Sequence, residues 1–139
     1  MKTKYLIAVL LLVAAVPQPT FAAEEKLTIG EPKSIVKRVN VEEFDKLRAD
    51  KKNVVLDVRT ETEFKAGHIP GAMNIDATAA DFDEKAAKLS KDKTYLVHCG
   101  GGMRSARASR KLEGMGFKEL YDLAPGFRGW EKAGKPVEK

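Results

Sequence analysis

Cys99 is the only cysteine in the chain, and it follows Tyr95-Leu96-Val97-His98 and precedes Gly100-Gly101-Gly102-Met103-Arg104-Ser105. The first segment reads as a buried strand, and the residues from Ala106 to Leu112 read as a helix. A thiol between a strand end and a helix start faces the positive end of the helix dipole and a set of unpaired N–H groups. That setting favours thiolate, the reactive form of cysteine. Three consecutive glycines leave the backbone open, so successive N–H groups can converge above the sulfur as a nest for a thiolate, a persulfide or an oxyanion. Arg104 closes the loop with a permanently charged, forked donor suited to an anion, and Ser105 is positioned to cap the helix.

The magnitudes are adequate. An unperturbed cysteine, with a pKa of ~8.5, is only a few per cent thiolate near neutrality. A helix terminus contributes ~0.3–2 kcal/mol, and one pKa unit corresponds to ~1.4 kcal/mol. The dipole alone lowers the thiol by about a unit on that scale, and N–H donation and Arg104 add to it. The bland alternative for a free cysteine is a small buried hydrophobe.

These residues need elements to hold them. From about Ile35 strands and helices alternate. Asn40 and Glu43 mark a helix start, with Phe44 and Leu47 facing inward. Val54 to Val58 is a short apolar run of the kind buried on both faces of a sheet. Thr60 and Glu63 form a capping box for a short helix ending by Gly67, and Ala72 to Ile75 is a short strand. Asp81 caps a helix through Phe82, Ala86 and Leu89. Thr94 to His98 is the next strand, and Gly114 or Gly116 ends the helix after it. Lys118 to Asp122 is a last strand, and Gly126 to Ala133 a last helix. The alternation predicts an α/β fold with a mostly parallel sheet of about five short strands, covered by helices on both faces. In such sheets ligands bind outside the carboxyl ends of the strands, where Cys99 stands.

The first residues read as a targeting segment. Lys2 and Lys4 form a basic region, Tyr5 to Val16 are apolar, and Pro17 to Ala22 resembles a signal-peptidase site, with the cut placed after Ala22. The apolar run of twelve falls short of the ~20 residues of a spanning helix, so no membrane anchor is expected. Residues 23–34 read as a flexible lead-in and 35–139 as one domain. The full chain carries a formal charge of +5, which falls to +3 without Lys2 and Lys4. Its basic residues are scattered among acidic ones, which excludes a nucleic-acid footprint. Export implies an oxidising space, periplasmic or exterior, where an unpaired exposed thiol is at risk.

Two stretches together resemble the rhodanese family of sulfurtransferases. Cys99 through Ser105 is similar to that family's active-site loop, with Gly102 and Arg104 in register. Asp57 through Ile75 (DVRTETEFKAGHIPGAMNI) is similar to its upstream signature, and Pro125 to Trp130 with Ala133 to Pro136 to its last helix. The resemblance spans roughly 35–137. It implies a three-layer rhodanese-like fold and a two-step cycle. Cys99 attacks the sulfane sulfur of a small anionic donor such as thiosulfate, and a thiol, cyanide or exported-protein acceptor then takes the sulfur. The N–H groups from Gly100 to Arg104 would hold the outer sulfur, and the Arg104 side chain would bind or orient the donor. Neither a metal nor an organic cofactor is implied, and a monomer is expected.

Other polar residues are read more blandly. Met103 either covers the helix start or shapes the entrance. His98 ends a buried strand, so its side chain should point away from the loop. Asp57 and Arg59 either touch substrate or hold the scaffold, Arg59 by pairing with Glu63. His68 holds the Gly67-His68-Ile69-Pro70-Gly71 turn, and Trp130 is core. Two histidines and one cysteine without ligand spacing argue against a metal site. A cysteine-based phosphatase on this fold has a loop one residue longer, and four residues, not five, separate Cys99 from Arg104. A non-catalytic binding module is the other rival.

Overall fold

The computed structural model describes residues 34–139. The proposed signal segment and nearly all of the lead-in lie outside those residues. Five strands, β1 (Ile35–Val39), β2 (Val54–Asp57), β3 (Met73–Asn74), β4 (Thr94–His98) and β5 (Glu119–Leu123), form one sheet. Their order is β1-β5-β4-β2-β3, and every pairing is parallel. Five helices connect them: α1 (Val41–Ala49), α2 (Glu61–Ala66), α3 (Phe82–Ala87), α4 (Met103–Gly114) and α5 (Gly126–Lys132). Among the described residues no helix is long and apolar enough to cross a membrane.

Alternation along the strands divides the interior into two layers. Leu56, Tyr95, Val97 and Leu120 pack with Phe82 and Ala86 of α3 and with Ala108 and Leu112 of α4. Val39, Val55, Leu96 and Leu123 pack with Phe44 of α1 and with Phe127 and Trp130 of α5. The sheet is therefore covered on both faces, as its apolar runs predict. Cys99 belongs to the α3/α4 layer.

At α1 and α2 the local signals act through the expected bonds; at α3 they do not. Asn40 accepts from the Glu43 N–H at 2.9 Å. Thr60 and Glu63 close both halves of a capping box at α2. Asp81, expected to cap α3, makes no capping bond. Its backbone is turned out of the extended conformation that aims a side chain back at the helix start, and its carboxylate pairs with Lys85 at 2.9 Å instead.

Candidate active site

Cys99 follows β4 and is 1% exposed. Its Sγ accepts a hydrogen bond from the Gly102 N–H at 3.1 Å. Burial raises the thiol pKa, but donation from the Ser105 hydroxyl and from the backbone N–H groups of Ser105, Gly102 and Gly101 outweighs it. The net effect holds the thiol below its ordinary value. Gly102, expected as one of the loop's N–H donors, is also the N-cap of α4. Its φ of +97° is left-handed, and a Cβ there would lie 2.1 Å from the Ala124 carbonyl oxygen. Only glycine turns the chain this tightly against β5.

Ser105 sits inside the first turn of α4 and caps nothing. Its buried hydroxyl has no ideally aligned partner, yet lies close enough to the thiol and to Asp122 to lower both. Asp122 lies beside Val97 in the sheet register and so faces the same layer as Cys99. Burial pushes its carboxyl up in spite of Ser105 and Arg38, whose Nε is 3.0 Å from Oδ2.

The carboxylate expected to pair with Arg59 is taken by Arg104 instead. Arg59 does not pair with Glu63. Its Nη2 donates to Asp57 Oδ2 and to the Gly67 carbonyl, both at 2.7 Å, and its guanidinium lies 4.0 Å from the centre of the Phe127 ring. Both Asp57 and Arg59 are buried and bonded to each other at the strand end, and Arg59 also lines the cleft beside Gly100. Glu63 receives a two-pronged bond from Arg104, 2.8 Å at each prong. That bond, ahead of the capping contacts with Thr60, draws the Glu63 carboxyl down to about 2 against the opposing effect of burial. Arg104 is raised by the same bond, and the nearby Cys99 thiolate adds to it. The loop arginine is thus anchored to α2 rather than held out to solvent.

His98 is fully buried on the opposite face of β4 from Cys99. It lies between the Phe44 and Phe127 rings, at 6.2 and 6.1 Å. Burial holds its pKa down to about 4 although Asp57 pulls the other way, so the ring is neutral at ordinary pH. His68 stacks on Phe64 at 3.9 Å and contacts its carbonyl at 3.0 Å, holding the turn. Met103 is 72% exposed and stands at the loop mouth, not over the helix core.

The arrangement is a low-pKa thiol under backbone donors, framed by arginines. A family model described as the rhodanese-like domain matches residues 40–133. The chain belongs to the rhodanese-like domain family. It is 37% identical over 92 residues to "Putative sulfurtransferase YtwF" of Bacillus subtilis, covering 66% of this chain and 86% of that one. It is 35% identical over 78 residues to "Thiosulfate sulfurtransferase GlpE" of Coxiella burnetii, covering 56% of this chain and 71% of that one. A further Bacillus subtilis relative, 31% identical, is longer, and the chain spans 54% of it. Among solved structures, a rhodanese-related protein from Thermoplasma volcanium superposes with a TM-score of 0.65 at 31% identity. That superposition covers 73% of this chain and 97% of the other.

Sequence reasoning passed over Glu63, Asp122, Arg38 and Arg128 as neighbours of this rhodanese loop. Glu63 carries a capping signal and an expected pairing with Arg59, neither of which points to the loop. Asp122 and Arg38 become neighbours of the loop because β5 lies beside β4 and β1 beside β5, an order that apolar patterning does not encode.

Proposed function

We propose that this chain is an exported sulfurtransferase that carries sulfane sulfur on Cys99. The reading rests on one observation: a buried thiol, held below its ordinary pKa, accepts from the N–H of the loop that begins at its own residue. The Cys99 thiolate attacks the outer sulfur of thiosulfate, the S–S bond breaks, and sulfite leaves with the bonding pair. Cys99 then carries a persulfide anion. Cyanide or an acceptor thiolate attacks the outer sulfur, and the Cys99 thiolate is restored. The N–H groups of the glycine loop stabilise the charge on the outer sulfur, which is covalent catalysis in a preorganised anion site. Arg104 holds the end of the loop and contributes positive potential at the sulfur.

The family match and the names of its relatives support sulfur transfer. The loop of four residues between Cys99 and Arg104 favours a sulfur atom over a phosphoryl group. The pattern of residues 1–22 supports export to a periplasm. The lack of a second cysteine requires an external acceptor. After incubation with thiosulfate, intact-mass spectrometry is expected to show a gain of one sulfur atom on Cys99 that cyanide removes. No adduct would favour a binding module. Hydrolysis of p-nitrophenyl phosphate that is lost in Cys99→Ser would favour a phosphatase.

A further inference from the structure

Four arginines stand around the loop from Cys99 to Arg104, and three are occupied. Arg38 bonds Asp122 and lies 3.3 Å from both the Gly102 and Ala124 carbonyl oxygens. Arg59 is held by Asp57 and Gly67 under the Phe127 ring. Arg104 is held by Glu63. Arg128 differs: among the described residues its guanidinium has no carboxylate or carbonyl partner. The helix that carries it is nonetheless fixed to the loop. The Phe127 N–H donates to the Cys99 carbonyl at 2.7 Å, and the Arg128 N–H donates to the Gly100 carbonyl at 3.1 Å.

From that anchor the exposed Arg128 side chain returns over the loop. Its Nη1 lies 3.8 Å from the position a Cβ on Gly101 would take. It also lines an open cleft of about 290 Å³ with Glu63, Gly100, Phe127, Glu131 and Arg59, whose guanidinium is already held by Asp57 and Gly67. Within that cleft Glu63 is neutralised by Arg104, and Glu131 makes no ion pair with Arg128. A planar guanidinium with all five donors unassigned matches two oxygens of a tetrahedral sulfur oxyanion.

We propose that Arg128, not Arg104, receives the oxygens of an oxyanionic sulfane-sulfur donor such as thiosulfate at the loop mouth. This deepens the sulfurtransferase reading and rests on it. The donor's sulfonate end meets Arg128 while its outer sulfur points to Cys99, so the departing sulfite keeps its counter-charge as the S–S bond breaks.

The test compares two donors on the whole protein. Thiosulfate carries oxygens; methyl hydropersulfide carries a sulfane sulfur and none. With the latter the Cys99 thiolate takes the terminal sulfur, and methanethiolate leaves. In Arg128→Gln, KM for thiosulfate is expected to rise about tenfold or more, the loss of a charge-assisted hydrogen bond, with the hydropersulfide rate unchanged. Arg128→Lys should recover part of the loss, and Arg107→Gln, one turn along α4 from Met103, should lose nothing. An unchanged KM for thiosulfate in Arg128→Gln would overturn the assignment, and so would an equal loss with both donors. Failure of the unsubstituted protein to form a persulfide from either donor would instead overturn the sulfurtransferase reading.

Discussion

At the scale of single residues, the reactivity of Cys99 is a balance between burial and donation. Burial alone would leave a neutral thiol; the Ser105 hydroxyl and the loop N–H groups reverse the sign. Ser105 is the member of that set which substitution can remove without disturbing the backbone. In Ser105→Ala the acid limb of the rate of persulfide formation against pH should move to higher pH, with the plateau rate at alkaline pH largely kept. A limb that stays in place would show that the backbone donors suffice. The nucleophile and its backbone donors are legible in the residues from Cys99 to Arg104, but the Ser105 hydroxyl, expected to cap the helix, is not legible as a donor to the thiol. Nor are the partners of the arginines. Asp57 and Arg59 are two apart at the end of a strand, and side chains at that spacing share a side. Arg59 therefore folds back on Asp57, while the capping box turns Glu63 toward the loop. Short-range spacing points Arg59 to Glu63, and only the approach of the Arg104 loop, which takes Glu63, leaves Arg59 to Asp57.

At the scale of elements, the loop is clamped from two sides. On one side the Glu63–Arg104 bond ties α2 to α4. On the other, the first turn of α5 donates to the Cys99 and Gly100 carbonyls, with Gly126 approaching so closely that a Cβ would stand 2.6 Å from the Gly100 oxygen. The helix starts could be read from Asn40, Thr60 and the glycine run because capping is a contact within one turn. The cap at Asp81 failed because a side chain can cap only from an extended backbone, which residue type does not guarantee. The junction of β4 and α4 has the least tolerance. Gly102→Ala adds a clash with the Ala124 carbonyl to an unfavourable left-handed φ, and the two together should cost ~2–4 kcal/mol. Its Tm should fall, and its persulfide formation should fall by more than the unfolded fraction explains. Wild-type activity in a stably folded Gly102→Ala would show that the tight turn does not set the position of the thiol.

At the scale of the whole molecule, layer and face were legible, and neighbour order was not. Apolar runs at Val54–Val58 and Thr94–His98 announce strands covered on both sides. Period-two alternation then sends Cys99 and His98 to opposite layers, the thiol toward α4 and the imidazole toward α1 and α5. The consequence for stability lies on the imidazole side. His98 is held neutral between Phe44 and Phe127, with a pKa of about 4 against an ordinary 6.5. The unfolded chain takes up that proton near 6.5, whereas the folded chain resists it until about 4. Stability is thus full above 6.5 and declines as the pH falls to about 4, by about 3 kcal/mol over the interval. Glu63 acts lower down. Its carboxyl titrates near 2 when folded and near 4.5 when free, so its contribution is present above 4.5 and is lost toward 2. With the pair a third exposed, solvent screening keeps that contribution to about 1 kcal/mol. The acid melting curve should therefore have two parts, a steep one between 6.5 and 4 and a shallower one below. For a domain of this size the first corresponds to a fall in Tm on the order of 15 °C. His98→Asn, which keeps a polar side chain but does not titrate, should start from a lower Tm at pH 7 and stay flat down to about 4.5. A wild-type Tm that held constant from pH 6.5 to 4 would mean that His98 accepts its proton inside the folded core, and that the layer beneath the thiol is open enough to hydrate it.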